Sequence, residues 1–184
     1  QQETRRALAR AVALAPQDPT VMAAQADSFY RLDNDYPLAY ALYQKAQAAA
    51  PGDARIVLFM AITERRLGLW DRSIANFETA HAMDPANVFI ATQMADTMGR
   101  MNDWEPLGRL LDEWLPRYHQ SRDLLATKVS QLMNTGDLAA APNLFDRIPV
   151  NSNTLYTTVG NDLHRWQRDY PGLIAFWDQP EVFT

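Results

Sequence analysis

The chain repeats a phrase in which a small residue is followed by an aromatic four positions on, alanine three further on and proline five beyond that. It stands at Ala39, Tyr43, Ala46 and Pro51, and again 34 residues later at Ser73, Phe77, Ala80 and Pro85. A period in the thirties restricts the chain to stacked helical hairpins, because each such unit leaves an apolar face that only the next unit can cover.

Breakers divide the sequence accordingly. The pattern Ala7, Leu8, Ala11, Val12 and Leu14 closes at Pro16 and predicts a leading half repeat over 1–18. Helix pairs are expected over 19–52, 53–86, 87–120, 121–153 and 154–184, all in one array spanning 1–184. Asp18, Asn87 and Asp103 are placed to cap helices and the second pair starts after Asp53, with Pro19 and Pro37 at first-turn positions where a missing N–H costs nothing. Gly68 and Gly136 stand where a left-handed C-terminal cap is expected. The first pair carries one extra residue, assigned to the turn at 33–35. Pro142 falls inside an expected helix, where it would remove a hydrogen bond to Leu138, so that helix is expected to start late, near Ala141, or to kink.

These features resemble the tetratricopeptide repeat across essentially the whole chain. The resemblance implies an all-α, right-handed α-solenoid, a superhelix of antiparallel helix pairs with about five repeats and a leading half repeat. It places small residues at close helix crossings, here Ala26, Ala61 and Ala95 on first helices and Ala39, Ser73 and Ala141 on second helices. Phe29, Met98, Leu132, Tyr43, Phe77, Leu111, Phe145 and Trp177 fill the space around them, and Tyr36, Trp70, Trp104 and Tyr170 recur at the turns. Leu107, Trp114, Val129 and Ile148 are bulky where the pattern prefers Ala or Gly, so the stacking is expected to change around the third and fourth pairs.

Chemistry is sparse. His81, His119 and His164 are far apart, none in an HExxH arrangement, and there is no cysteine, phosphate loop or GxSxG motif. No catalytic residue, metal or cofactor is therefore expected. The net charge of −5 disfavours a general nucleic-acid binder. No apolar run reaches the ~18–20 residues of a bilayer span. Lack of cysteine leaves the compartment open, with a soluble, cytoplasmic chain slightly favoured. The end at 180–184 carries no polar cap, so more chain is expected to follow and self-association through uncapped ends is an option.

Recognition is the remaining role. In the resembled family the first helices line a concave groove, which implies candidate groove residues Asp27, Tyr30, Arg31, Leu58, Ile62, Arg65, Arg66, Phe89, Asp96, Arg100 and Trp166. The family's clamp for a terminal carboxylate is not matched: Ala23 and Leu58 replace its Lys, and Asp27 and Ile62 its Asn. Arg31, Arg66 and Arg100 share one register position and form a basic ridge or simply complement their helix dipoles. Leu58, Ile62 and Phe89 form an apolar step, either an anchor for an amphipathic segment or a contact inside the array. The leading expectation is a non-catalytic scaffold for a protein or peptide, possible as the regulatory part of a longer protein. An accessory segment of a multidomain enzyme is the alternative, with helical-repeat RNA binding ranked lower.

Overall fold

The computed structural model describes residues 2–137, 139–148 and 154–178, with the side chains of residues 154–156, 170 and 177 outside that description. The described chain is helical: α1 (Gln2–Leu14), α2 (Pro19–Ser28) running into a π-helical turn (Phe29–Asp33), α3 (Tyr36–Ala49), α4 (Ala54–Arg66), α5 (Trp70–Met83), α6 (Val88–Arg100), α7 (Trp104–Trp114), α8 (Arg122–Thr135), α9 (Ala141–Phe145), α10 (Thr154–Trp166) and α11 (Tyr170–Trp177). They form two compact units, Gln1–Thr97 and Met98–Thr184.

Unit 1 packs α1 on α2, α2 on α3, α3 on α4 and α4 on α5. The expected small residues lie at the crossings, with Ala26, Ala39, Ala61 and Ser73 all at 0% exposure. Ser73 is more than small, since its Oγ donates to Ala61 O at 2.8 Å and ties the second helix to the first. Tyr43 and Phe77, at 1% and 0%, fill the volume that the small residues open.

Unit 2 packs α7 on α8, α8 on α9 and α10, and α10 on α11. Its core gathers Leu125, Val129, Phe145, Leu163 and Phe176. Bulky Leu107, Trp114, Val129 and Ile148 are buried, so close approach is transferred to glycines beside them. A Cβ on Gly108 would lie 2.7 Å from Gln131 Nε2, and one on Gly160 would lie 2.4 Å from the Phe176 ring and 2.7 Å from Phe145. Both rings would have to shift, so Gly160→Ala should destabilise unit 2 by about 1–3 kcal/mol in chemical denaturation.

The hairpin turns share one design. Asn34, Gly68, Asn102, Gly136 and Arg168 all take positive φ, from 54° to 85°. The next residue's N–H then reaches back to the closing helix: Leu69 to Glu64 O, Asp103 to Met98 O, Asp137 to Leu132 O and Asp169 to His164 O, at 2.9–3.1 Å. This is the Schellman pattern, which satisfies carbonyls that the helix end would orphan. In the first pair the bond runs one residue further, from Asp35 N–H to Phe29 O at 3.0 Å. The extra residue therefore sits in the π-helical turn and not in the loop at 33–35, because one inserted residue widens a helical turn and leaves the cap intact. Arg168 bears a Cβ at a position that favours glycine. Arg168→Gly should stabilise unit 2 by about 0.5–1 kcal/mol, read as a raised denaturation midpoint.

Asp18 caps as expected, Asn87 Oδ1 accepts from Phe89 N–H at 3.2 Å, and Asp53 caps α4 in the same way. Asp103 does not: its carboxylate makes no bond to the first turn of α7, which is closed by the backbone bond from Leu107 N–H to Asp103 O. Pro142 is accommodated by a late start, since α9 begins at Ala141 and runs five residues. Leu138, the Tyr170 and Trp177 side chains, the boundary at Asn153 and residues 179–184 lie outside the description.

Candidate functional site

The candidate groove residues separate into buried ties between helices and groups that reach solvent. On α4, positions 58, 62 and 65 share one helical face, being four and seven residues apart. Leu58 and Ile62 are 3% and 7% exposed, so they offer no surface to a ligand, and the apolar step is reduced to Phe89. Arg65 explains why. Its guanidinium donates to Asp96 Oδ2 at 2.8 Å, Thr97 Oγ1 at 3.0 Å and Gln93 Oε1 at 3.0 Å, all on α6, and its side chain is only 10% exposed. The face that carries Leu58 and Ile62 therefore turns toward the next first helix. Arg65 and Asp96 hold two repeats together.

The α2–α4 edge is different. Arg31, with 61% of its side chain exposed, lies 3.7 Å from Asp27 and 5.8 Å above the Phe59 ring. Arg66 is exposed, and its Nε donates to Tyr30 Oη at 3.2 Å; Tyr30 in turn packs against Tyr36 with ring centroids 5.3 Å apart. The hydrogen bond that Arg66 donates to Tyr30, then its electrostatic attraction to that hydroxyl, holds Arg66 still further on the charged side of its ordinary range. Arg31 is thus held over an aromatic ring and Arg66 on a tyrosine hydroxyl, both with their guanidinium groups at the surface. Cation–π contacts of this kind orient a charge without consuming it. Phe59 was missed in the sequence because it falls one position off the stripe of Leu58, Ile62 and Arg65.

Asp27 has a structural duty as well, since Tyr43 Oη donates to its Oδ1 at 2.7 Å. Burial, then this bond to a carboxylate, pushes the Tyr43 hydroxyl well above the usual tyrosine range. A raised pKa favours the protonated form in the folded state, so the contribution is intact below about pH 10 and lost as pH rises beyond it. Alkaline unfolding of the wild type should accordingly steepen above pH 10, and Tyr43→Phe should remove that part of the slope.

Phe89 is 47% exposed beside Val88 at 40%, both in the first turn of α6. Arg100 is exposed at the end of that helix, and Trp166 is 50% exposed at the end of α10. His164 Nδ1 lies 3.2 Å from Asp169 Oδ2, while Asp169 Oδ1 accepts from Gly172 N–H at 3.0 Å, so this histidine serves the α10–α11 turn. Among the described residues no group of three His, Asp or Glu side chains gathers as a metal site, and no helix is long and apolar enough to cross a membrane.

No family model matches the chain, and no curated protein matches it. Solved structures do. The type IV pilus biogenesis factor PilW is 16% identical, with a TM-score of 0.78 over 99% of this chain and 90% of its own. PilF of Pseudomonas aeruginosa is 15% identical, with a TM-score of 0.77 over 99% of this chain and 88% of its own. YrrB, a TPR protein with an unusual peptide-binding site, is 14% identical, with a TM-score of 0.66 over 94% of this chain and 89% of its own. At such identities the likeness is one of fold. Together with the period, the small-residue crossings and the repeated turns, it makes this chain a tetratricopeptide-repeat array by fold.

Proposed function

We propose that the chain is a non-catalytic scaffold that binds a partner protein through a peptide or helix laid on the first helices of unit 1. The observation that carries this reading is the α2–α4 edge, where Arg31 and Arg66 are held over Phe59 and next to Tyr30 with their charges exposed. Such a strip suits a segment with acidic groups for the guanidinium ions and an apolar side chain for Phe89. The fold's occurrence in YrrB, whose site binds peptide, supports the same assignment.

Capture of partners by the wild type and by Arg31→Glu plus Arg66→Glu tests it. Both residues are exposed, so circular dichroism should show an unchanged fold, and recovery of the partner should be lost. Full recovery by the charge-reversed protein would refute the reading. Binding of single-stranded RNA at micromolar or better affinity in physiological salt would place the chain in another class.

A further inference from the structure

Three arginines stand in the last turns of the first helices of unit 1, and they differ in what balances their charge. Arg65 is engaged with Asp96 at 2.8 Å, and Arg31 has Asp27 beside it at 3.7 Å, one helical turn back. Arg66 has no carboxylate partner among the described residues. It is exposed and still held in place, because its Nε–H is fixed on Tyr30 Oη at 3.2 Å. That bond leaves the other N–H donors of the guanidinium unengaged.

Tyr30 is the other half of the arrangement. Its ring packs against Tyr36 with centroids 5.3 Å apart, and the Tyr36 hydroxyl donates to Asn34 Oδ1 at 3.2 Å. Because Tyr30 Oη accepts from Arg66, its own O–H is directed elsewhere, and it meets no acceptor among the described residues. A phenol O–H and guanidinium N–H groups therefore stand side by side, all of them donors, with one uncompensated positive charge. Complementing the dipole of α4 would ask only for that charge and would not require that a phenol hold it. Donors in this arrangement match an anion with two acceptor oxygens and one negative charge.

We infer that Tyr30 and Arg66 together form a receptor for a single carboxylate, that of an acidic side chain in the bound segment; the inference rests on the scaffold reading. One carboxylate oxygen accepts from a terminal N–H of Arg66 and the other from Tyr30 O–H. A phosphate would bring a second negative charge, for which Arg31, already beside Asp27, supplies little. A chain-terminal carboxylate fits less well, because Ala23 and Leu58 stand where the family's clamp for such an end has lysine. Arg31 then has a different part from Arg66. Held over the Phe59 ring, it gives the segment a flat platform and does not receive its charge.

The test follows the Arg66 Nε–H resonance of the whole chain by NMR while the blocked tripeptide Ala-Glu-Ala is added at constant ionic strength. Blocked Ala-Gln-Ala, Ala-Ala-Ala with a free carboxyl end, and sodium chloride are the comparisons. A saturable shift at millimolar affinity is expected with the glutamate peptide, and none with the glutamine peptide or chloride. Tyr30→Phe keeps the ring and should weaken binding about fivefold, whereas Arg31→Ala should change it less than about twofold. Arg66→Gln should abolish the response, followed in that variant at the Tyr30 ring protons. Equal affinity of the wild type and Tyr30→Phe would overturn the inference. So would a matching response to chloride, binding of the free-ended tripeptide alone, or loss of binding in Arg31→Ala. Partner capture separates this inference from the scaffold reading. Loss of the partner by Arg31→Glu plus Arg66→Glu without tripeptide binding would strike the inference alone, whereas tripeptide binding with full recovery of the partner would strike the scaffold reading alone.

Discussion

Phe77→Ala is expected to lower the stability of unit 1 by about 3–5 kcal/mol, the largest effect of any single truncation considered. The ring is at 0% exposure, and it fills the space that Ala61 and Ser73 create by being small. The small residues hold the two helix axes close by backbone contact and by the bond from Ser73 Oγ to Ala61 O, so the pair cannot close over the void. Cavity and lost transfer energy then add. For a unit of this size such a change lowers the melting midpoint by more than about 12 °C. Scanning calorimetry is the check, and a loss under about 1 kcal/mol would mean that this crossing is looser than described.

Arg65→Ala is the second large effect, expected at about 2–4 kcal/mol, because it removes the cation that Asp96, Thr97 and Gln93 share and the packing of its stem between two first helices. Asp96 keeps access to water, with 41% of its side chain exposed, and this holds the cost below that of a fully buried pair. Removing both charges is a different experiment. Arg65→Met with Asp96→Leu retains the packing and buries no orphaned ion, so the double variant should recover most of the loss. A thermodynamic cycle over Arg65→Ala and Asp96→Ala should return a coupling of about 1–3 kcal/mol. Simple additivity would show that the short distance between them carries no interaction.

The residues that can be read from the sequence are those whose chemistry has one structural use. Glycine at 68 and 136 announces a left-handed turn, and alanine or serine at 26, 39, 61 and 73 announces a close crossing. Asn34, Asn102 and Arg168 occupy the same turn, but their side chains are equally at home elsewhere, so only the register exposes them. The extra residue of the first pair was legible as a length, yet not as a π-helical turn, because length alone does not say which bond stretches.

The candidate site was legible to a smaller degree. Position within a repeat gives the direction in which Leu58, Ile62 and Arg65 leave α4, and it does not give the distance to α6. That distance decides whether an arginine is a ligand for a partner or a tie within the molecule. Arg31 and Arg66 are held at the surface, the first over the Phe59 ring and the second by the Tyr30 hydroxyl.

Site-specific photo-crosslinking tests the central claim most directly. A benzophenone-bearing residue is placed at Phe89 or Arg31, both exposed on the first-helix row, and at Glu78, exposed on the second helix α5. Crosslinks to a partner from Phe89 and Arg31, with none from Glu78, are the predicted result; crosslinks from Glu78 with none from Phe89 and Arg31 would contradict the account.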